Sequence, residues 1–362
     1  MHRTDASSTG ATRVTINDLA RTLGLAKGTV SRALNGYPDI AEATRLRVSR
    51  TAERMGYRPL AQAQAIRTGR ARSLGLILNT GNADLHRPFL TDFLDGISRA
   101  ASDETWTLTV ATANGTDDEV ASMARLIDDR KADGFILPRA MWDDPRVALC
   151  RARGVPFILY GRTGDSTDCA WFDISGEDAM TRAVTRLAGF GHRRIGFING
   201  SRDYTYAHLR HDGFLAGMAA AGLTADPDLM AEGVLDIAAG EAAGRAVLAH
   251  GPTAVVCALD LAALGLYRAA AALGRTVGKD LAVIAYDGIP EAATATPPLS
   301  TFSVDNRAAG ERLAKLLIAR IRGTDPSHLR ELAPARLIER ASDQLPDFDP
   351  AQAPPAQANT RA

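Results

Sequence analysis

At 362 residues, 46% hydrophobic and 23% charged, the chain has material for two to three domains and a composition that excludes a mainly disordered polymer. Its net charge of zero hides an asymmetry: residues 1–72 hold 13 of the 42 basic and 5 of the 42 acidic side chains, a balance of +8, so residues 73–362 carry −8. No run of about 18 apolar residues occurs, so no membrane-spanning helix and no membrane partner is expected.

A basic head joined to an acidic body suggests a polyanion-binding module in front of a part that meets another ligand; a solvated basic face is the alternative. From Thr15 the head reads TINDLARTLGLAKGTVSRALNG. Ile16, Leu19, Ala20 and Leu23 recur at helical spacing behind Thr15 as N-cap, and Gly24 falls where a left-handed glycine stops a helix. A second helix is predicted from about Lys27 to Leu34, ended by Asn35-Gly36. Val30, Ala33 and Leu34 should pack inward, leaving Lys27, Gly28, Thr29, Ser31 and Arg32 at the start and outer face of that helix. Such a face suits a major groove: arginine donates two hydrogen bonds to guanine O6 and N7, lysine serves base or phosphate, and hydroxyls suit phosphate oxygens. A third amphipathic helix, about residues 41–55, is predicted to cover the pair with Leu46, Val48, Ala52 and Met55. A small helical bundle with an ordinary surface is the competing interpretation.

Beyond residue 72, short apolar runs alternate with helical segments. LGLILN at 74–79, WTLTVA at 106–111, GFILP at 134–138 and VPFILY at 155–160 form one series. IGFIN at 195–199, AVVCA at 254–258 and AVIAY at 282–286 form a second, separated by 3.6-period stretches such as 207–222 and 260–273. Two α/β lobes of parallel sheets are the simplest packing. Open α/β sheets bind ligands beside the carboxyl ends of their strands, so two facing lobes make a cleft suited to a small molecule.

The segments VTINDLARTLGLAKGTVSRALNG and RLRVSRTAERMGYRP closely resemble the DNA-binding head of the lactose-repressor (LacI/GalR) family. The resemblance runs over about residues 14–342, through RPFLTDFLDGI, KADGFIL, GFGHRRIGFING, AHLRHDGFLAGMAAAGL, TAVVCALDLAALG and VIAYDGIPEAATATPPLSTFSVD. It implies a helix-turn-helix head over 14–58, a hinge helix over 59–70 and a periplasmic-binding-protein-like body over 72–343, followed by a poorly ordered tail over 346–362. The N-lobe is expected over about 72–172 and 303–329 and the C-lobe over 174–299 and 331–343, with crossings near Phe172 to Ile174, Leu299 to Ser303 and Arg330. It further implies a homodimeric transcriptional repressor on a pseudo-palindromic double-stranded DNA operator, controlled by a small sugar-like effector.

Carried over by motif, the DNA-facing set is Thr15, Lys27, Gly28, Thr29, Ser31, Arg32, Asn35 and Tyr57, with Ile66 as the hinge wedge that partly unstacks a base step from the minor groove. In the body, Arg210 in AHLRHDGF matches the arginine that holds the ligand, and Asp287 in VIAYDG an acid that accepts from its hydroxyls or amines. Tyr204 and Tyr206 occupy nearby loop positions, and Phe89 in RPFL the aromatic position of the first lobe. Aromatic faces beside paired polar groups suit a sugar ring. The sequence departs from the family pattern at four places. Ala26 and Leu60 stand where capping side chains are usual, the first at a cost of about 1 kcal/mol. Gly28 removes a DNA-contacting side chain, and Leu259 replaces an asparagine that would meet a hydroxyl.

Rival functions have weaker support. GHRRIG at 191–196 does not satisfy GxGxxG, neither a Walker loop nor HExxH occurs, and the seven histidines lack ligand spacing, so neither enzyme activity nor a cofactor or metal is expected. His192 reads as a structural turn histidine. Cys150, Cys169 and Cys257 are odd in number, far apart and without a CxxC pair, and residues 1–13 lack the apolar core of a signal peptide, which together point to the cytoplasm. A transport-type sugar-binding protein would share the body but not the basic head. A protein co-regulator or non-sugar effector in place of the sugar stays open.

Overall fold

The computed structural model describes residues 14–57, 70–80 and 89–344, which leaves Ile66, most of the expected hinge and the 346–362 tail outside the described residues. The chain divides into a head, up to Ala71, and a body from Arg72. In the head, α1 (Ile16–Leu23) opens with a reciprocal cap: Asp18 N–H donates to Thr15 Oγ1, and Thr15 N–H donates to Asp18 Oδ2 at 2.9 Å. Gly24 ends it in the left-handed region at φ 63°. α2 (Lys27–Leu34) follows behind Ala26, which supplies no capping side chain, and α3 (Glu42–Arg54) packs across both. Leu19, Val30, Ala33, Val48 and Ala52 form the head's buried core, with Leu34, Met55 and Tyr57 packed against it.

Leu46 does not join that core; it is 51% exposed. Val48 and Ala52, four residues apart, share the inward face of α3 with Thr51, whereas a residue two before Val48 is turned about 200° away.

The body begins with β1 (Ser73–Asn79), α4 (Phe89–Asp103), β2 (Thr107–Ala113), α5 (Thr116–Asp128), β3 (Gly134–Pro138), α6 (Pro145–Arg153), β4 (Phe157–Tyr160) and β5 (Ala170–Ile174). It continues with α7 (Gly176–Gly189), β6 (Ile195–Ile198), α8 (Thr205–Ala220), β7 (Met230–Ala231), α9 (Ile237–Ala249), β8 (Ala254–Cys257), α10 (Asp260–Ala272), β9 (Ala282–Asp287), α11 (Pro290–Thr294) and β10 (Ser300–Ser303). α12 (Asn306–Ile321), β11 (Arg330–Ala333) and β12 (Arg336–Ile338) complete it. The strands make two six-stranded sheets, ordered β11-β5-β4-β3-β1-β2 and β12-β10-β9-β8-β6-β7; among these pairings only β10–β12 is antiparallel. Parallel sheets bury both faces, which is why their central strands are continuous apolar runs. Leu74, Leu76 and Ile136 pack on one face of the first sheet with α4 and α12, while Ile77, Phe135 and Leu159 pack on the other. Helices α4 and α12 touch backbone to backbone: a Cβ at Gly96 would sit 2.1 Å from the Arg307 carbonyl oxygen, and one at Gly310 2.4 Å from that of Phe93.

The chain exchanges sheets between β5 and α7, between β10 and α12, and between β11 and β12. All three lie downstream of the lobe limits expected from sequence, the first only slightly, since Ile174 still pairs with Ala333 in the first sheet. Ser300–Ser303 stays in the second sheet because it pairs with Ile284–Asp287, and Arg330–Ala333 stays in the first because it pairs with Trp171–Ile174. Leaving earlier would strand those backbone hydrogen bonds.

His192 is fully buried beside Thr253, Nδ1 to Oγ1 3.0 Å, and burial, helped by the Arg193 charge, pulls its imidazole down to about 4. A depressed basic group stabilises the fold above its ordinary value and loses that contribution as pH falls through the folded value. The body is therefore expected to lose about 3 kcal/mol through His192 between about pH 6.5 and about pH 4. Urea unfolding across that range should show a flatter acid limb for His192→Gln than for the wild type; parallel limbs would dismiss His192 as the cause.

Candidate functional site

The head presents Lys27, Gly28 and Arg32 exposed along α2, with Thr29 and Ser31 beside them. Three other expected DNA-facing residues hold the motif together. Thr15 is occupied in the cap of α1, Asn35 Nδ2 donates to the Ser31 carbonyl at 2.6 Å, and Tyr57 packs against the head core. Arg32 Nη2 lies 2.5 Å from Asp39 Oδ2, in the turn after α2.

In the body, the carboxyl ends of both sheets border one cavity of 670 Å³ between the lobes. Tyr204, Tyr206, Arg210 and Asp287 all line it. Phe89 begins α4, but its side chain is not among those described. Arg210 projects from the first turns of α8 and is only 9% exposed. Its Nη1 donates to the Ala258 carbonyl at 2.5 Å, and its guanidinium carbon lies 3.8 Å from the Tyr286 ring centre and 4.7 Å from that of Tyr206. Gly176 makes room for it, since a Cβ there would lie 3.2 Å from Arg210 Cγ and Nε. Among the described residues, the buried Nε–H of Arg210 has no hydrogen-bond acceptor. An unmatched buried donor costs about 1–3 kcal/mol, so the Arg210 guanidinium is a fixed, buried and incompletely satisfied cation in the cavity wall.

Asp287 ends β9 at φ 130°, in a region side chains rarely adopt, and Gly288 continues the turn at φ 75°. A buried carboxylate braces this turn: Asp260 accepts from Ile289 N–H at 2.9 Å and from Thr301 Oγ1 at 2.6 Å. Burial, then the neighbouring Asp287 charge, pushes the Asp260 carboxyl up from its ordinary value. Leu259 lines the cavity as an apolar residue where an amide would have offered hydrogen bonds.

Several lining residues are not singled out by the sequence reading. Tyr286 adjoins Asp287 in the same motif and supplies the ring under Arg210. Arg162 donates from Nε to Asp173 at 2.7 Å and from Nη2 to Glu177 at 2.8 Å, joining the ends of β4 and β5 to α7 of the other lobe. Burial pushes the Asp173 carboxyl up although Arg162 pulls the other way. Away from the crossing segments in sequence, the lobes also meet directly. Met141 bridges Tyr204, Trp142 N–H donates to the Asp203 carbonyl at 2.9 Å, Thr205 N–H donates to the Ala140 carbonyl at 3.1 Å, and the Arg139 guanidinium lies 4.5 Å from the Tyr204 ring centre. Among the described residues no cluster of histidine, cysteine and acidic side chains could hold a metal, and no helix is long and apolar enough to cross a membrane.

Comparison with known proteins agrees with this architecture. Residues 15–59 match the model for bacterial regulatory proteins of the lacI family, and residues 184–342 match that for the periplasmic binding protein-like domain. The HTH-type transcriptional regulator AglR of Rhizobium meliloti (strain 1021) is 34% identical over 95% of this chain and 98% of its own length. The structure of a transcriptional regulator CelR–cellobiose complex superposes with a TM-score of 0.71 at 30% identity, covering 91% of this chain and 100% of that one. The lac repressor dimer bound to operator and the anti-inducer ONPF shares the fold, with a TM-score of 0.76 at 24% identity over 92% and 99% of the two chains. With its helix-turn-helix head and two parallel-sheet lobes, this chain belongs to the lacI family of DNA-binding transcriptional regulators, and its relatives are regulators rather than enzymes.

Proposed function

We propose that the protein is a cytoplasmic, homodimeric repressor whose affinity for a pseudo-palindromic operator is set by a sugar bound between the lobes. The observation that carries the effector reading is Arg210: buried, packed against Tyr206 and Tyr286, with an unmatched Nε–H, in the wall of a cavity that Asp287 also lines. A guanidinium and a carboxylate supply donor and acceptor to hydroxyls, and the tyrosine rings offer apolar faces to ring C–H groups. The 670 Å³ cavity lies well inside the range of about 300–1,000 Å³ for small-molecule sites and exceeds what one pyranose ring needs. A disaccharide is therefore the effector class to test first, in keeping with the similarity to a regulator solved with cellobiose.

Thermal unfolding of the full chain against a panel of mono- and disaccharides tests this reading. A cognate sugar at about 100 times its Kd should stabilise the native state by about 2.7 kcal/mol. A panel in which no sugar shifts the transition would remove the sugar from the proposal.

On the DNA side, Arg32 is the base reader and Lys27 contacts base or phosphate. Arg32→Ala is expected to lose about 1–3 kcal/mol on the operator and less on random duplex. Equal losses on both in fluorescence anisotropy titrations would make Arg32 a phosphate contact.

A further inference from the structure

Arg32 does not extend unsupported from the recognition surface. Besides the 2.5 Å approach of its Nη2 to Asp39 Oδ2, its guanidinium carbon stands 5.2 Å from the centre of the Tyr37 ring. Both partners come from the turn between α2 and α3, and that turn is itself anchored. Tyr37 N–H donates to the Arg32 carbonyl at 3.1 Å, Ile40 N–H donates to the Tyr37 carbonyl at 3.2 Å, and Arg45 Nη1 reaches the same carbonyl from α3 at 3.4 Å. Ile40 packs against the head core, which fixes the far side of Asp39. The Arg32 and Asp39 side chains stay 52% and 48% exposed. An ion pair so open to solvent adds little to stability, so its consequence lies in where it holds the guanidinium.

We propose that Asp39 is a specificity-determining positioning residue, which holds the Arg32 guanidinium in the plane needed for a guanine edge and withholds it from phosphates. The inference rests on the reading of Arg32 as a base reader. A guanidinium carries five N–H donors in a rigid planar fork. With one corner on Asp39 and one face toward Tyr37, the orientation of that fork is restricted while its other donors remain available. Bidentate contact with guanine O6 and N7 demands such an orientation, whereas a phosphate oxygen accepts from almost any direction. The Asp39 carboxylate also repels phosphates on every sequence alike. Asp39 therefore lowers affinity for random DNA more than for a duplex that places guanine under Arg32.

Selection by the full-length protein from a pool of randomised duplexes tests this and lets the protein define its own operator. The base pair read by Arg32 is the one whose preference disappears in Arg32→Ala. Asp39→Asn is expected to weaken preference at that same pair by about two- to fivefold, tighten binding to a random duplex, and steepen the log–log salt dependence there by about 0.9 as the released arginine takes up a phosphate. In the Arg32→Ala background, Asp39→Asn should alter no further base preference. An unchanged motif in Asp39→Asn would overturn the role of Asp39, and so would a changed preference at another pair in the Arg32→Ala background, since Asp39 would then read DNA itself. Enrichment of no sequence by the wild type would instead defeat base reading by the head as a whole.

Discussion

Replacing Arg210 by alanine is expected to abolish the response to the effector sugar while leaving operator binding by the unliganded protein intact. The side chain is buried, its Nη1 is committed to the Ala258 carbonyl, and its Nε–H has no acceptor among the described residues. Hydrogen bonds from a charged donor contribute about 1.5–3 kcal/mol each, so losing even one with its geometry intact weakens binding by about tenfold to a hundredfold. The truncation also removes the guanidinium packed against Tyr206 and Tyr286, so this part of the cavity wall loses its support. Calorimetric titration of Arg210→Ala with a sugar that stabilises the wild type should therefore show at least about a hundredfold loss of affinity. Wild-type affinity in this variant would place the ligand elsewhere. Arg210→Lys should not rescue fully, because an ammonium cannot make the planar stack or keep both donors.

The second large effect is on stability. Arg146→Ala is expected to destabilise the body by about 3–5 kcal/mol, because it strands two buried carboxylates. Arg146 is itself buried and donates from Nε and Nη2 to Asp144 at 2.9 and 2.7 Å and from Nη1 to Glu119 at 2.8 Å. Its Nη2 also reaches the Arg139 carbonyl at 3.3 Å, and Asp144 accepts from Met141 N–H at 3.1 Å. The cluster thus anchors the 139–144 loop, which lines the cavity and meets Asp203 to Thr205 of the other lobe. Burial pushes the Asp144 carboxyl up, but the Arg146 hydrogen bonds and charge outweigh it and hold the group below its ordinary value. That contribution is present above the ordinary carboxylate range and is lost as pH falls through the lowered value. Without Arg146 burial dominates, so Asp144 takes up a proton at higher pH and the variant recovers. Urea unfolding should show the gap between wild type and Arg146→Ala narrowing as pH falls from about 6 to about 4; a gap that widens would contradict the assignment.

The head was the most legible part of the sequence because its signals are local. Thr15, Gly24 and Asn35 punctuate the helices where the structure caps and ends them, and the apolar positions Leu19, Val30 and Ala33 are buried. Leu46 misled because hydrophobicity alone does not say which face of a helix a residue occupies; its phase relative to Val48 and Ala52 does. In the body the apolar runs marked β1–β4, β6, β8 and β9, but not the interior strands Ala170–Ile174 and Ser300–Ser303, whose polar residues interrupt any apolar run. Met230–Ala231, Arg330–Ala333 and Arg336–Ile338 escaped because they are short edge strands, and such strands need no continuous apolar run. The cavity was legible at Tyr204, Tyr206, Arg210 and Asp287 only through motif resemblance. Arg162, Asp173 and Arg139 contribute through partners distant in sequence or on the other lobe, which no local pattern reveals. Asp39 shows the same limit at closer range, since a turn acid that follows an arginine acquires meaning only when the turn folds back on the helix.

The central claim is that a sugar in the interlobe cleft and DNA at the head are linked through one protein, and linkage requires that each alter affinity for the other by the same factor. Equilibrium titration of the full-length protein with a selected duplex, in the absence and presence of a saturating disaccharide that stabilises it, tests this directly. The predicted result is a change in duplex affinity of at least about tenfold for the wild type, within the usual range of allosteric coupling, and no change for Arg210→Ala. Identical duplex affinities with and without the bound sugar in the wild type would contradict the account.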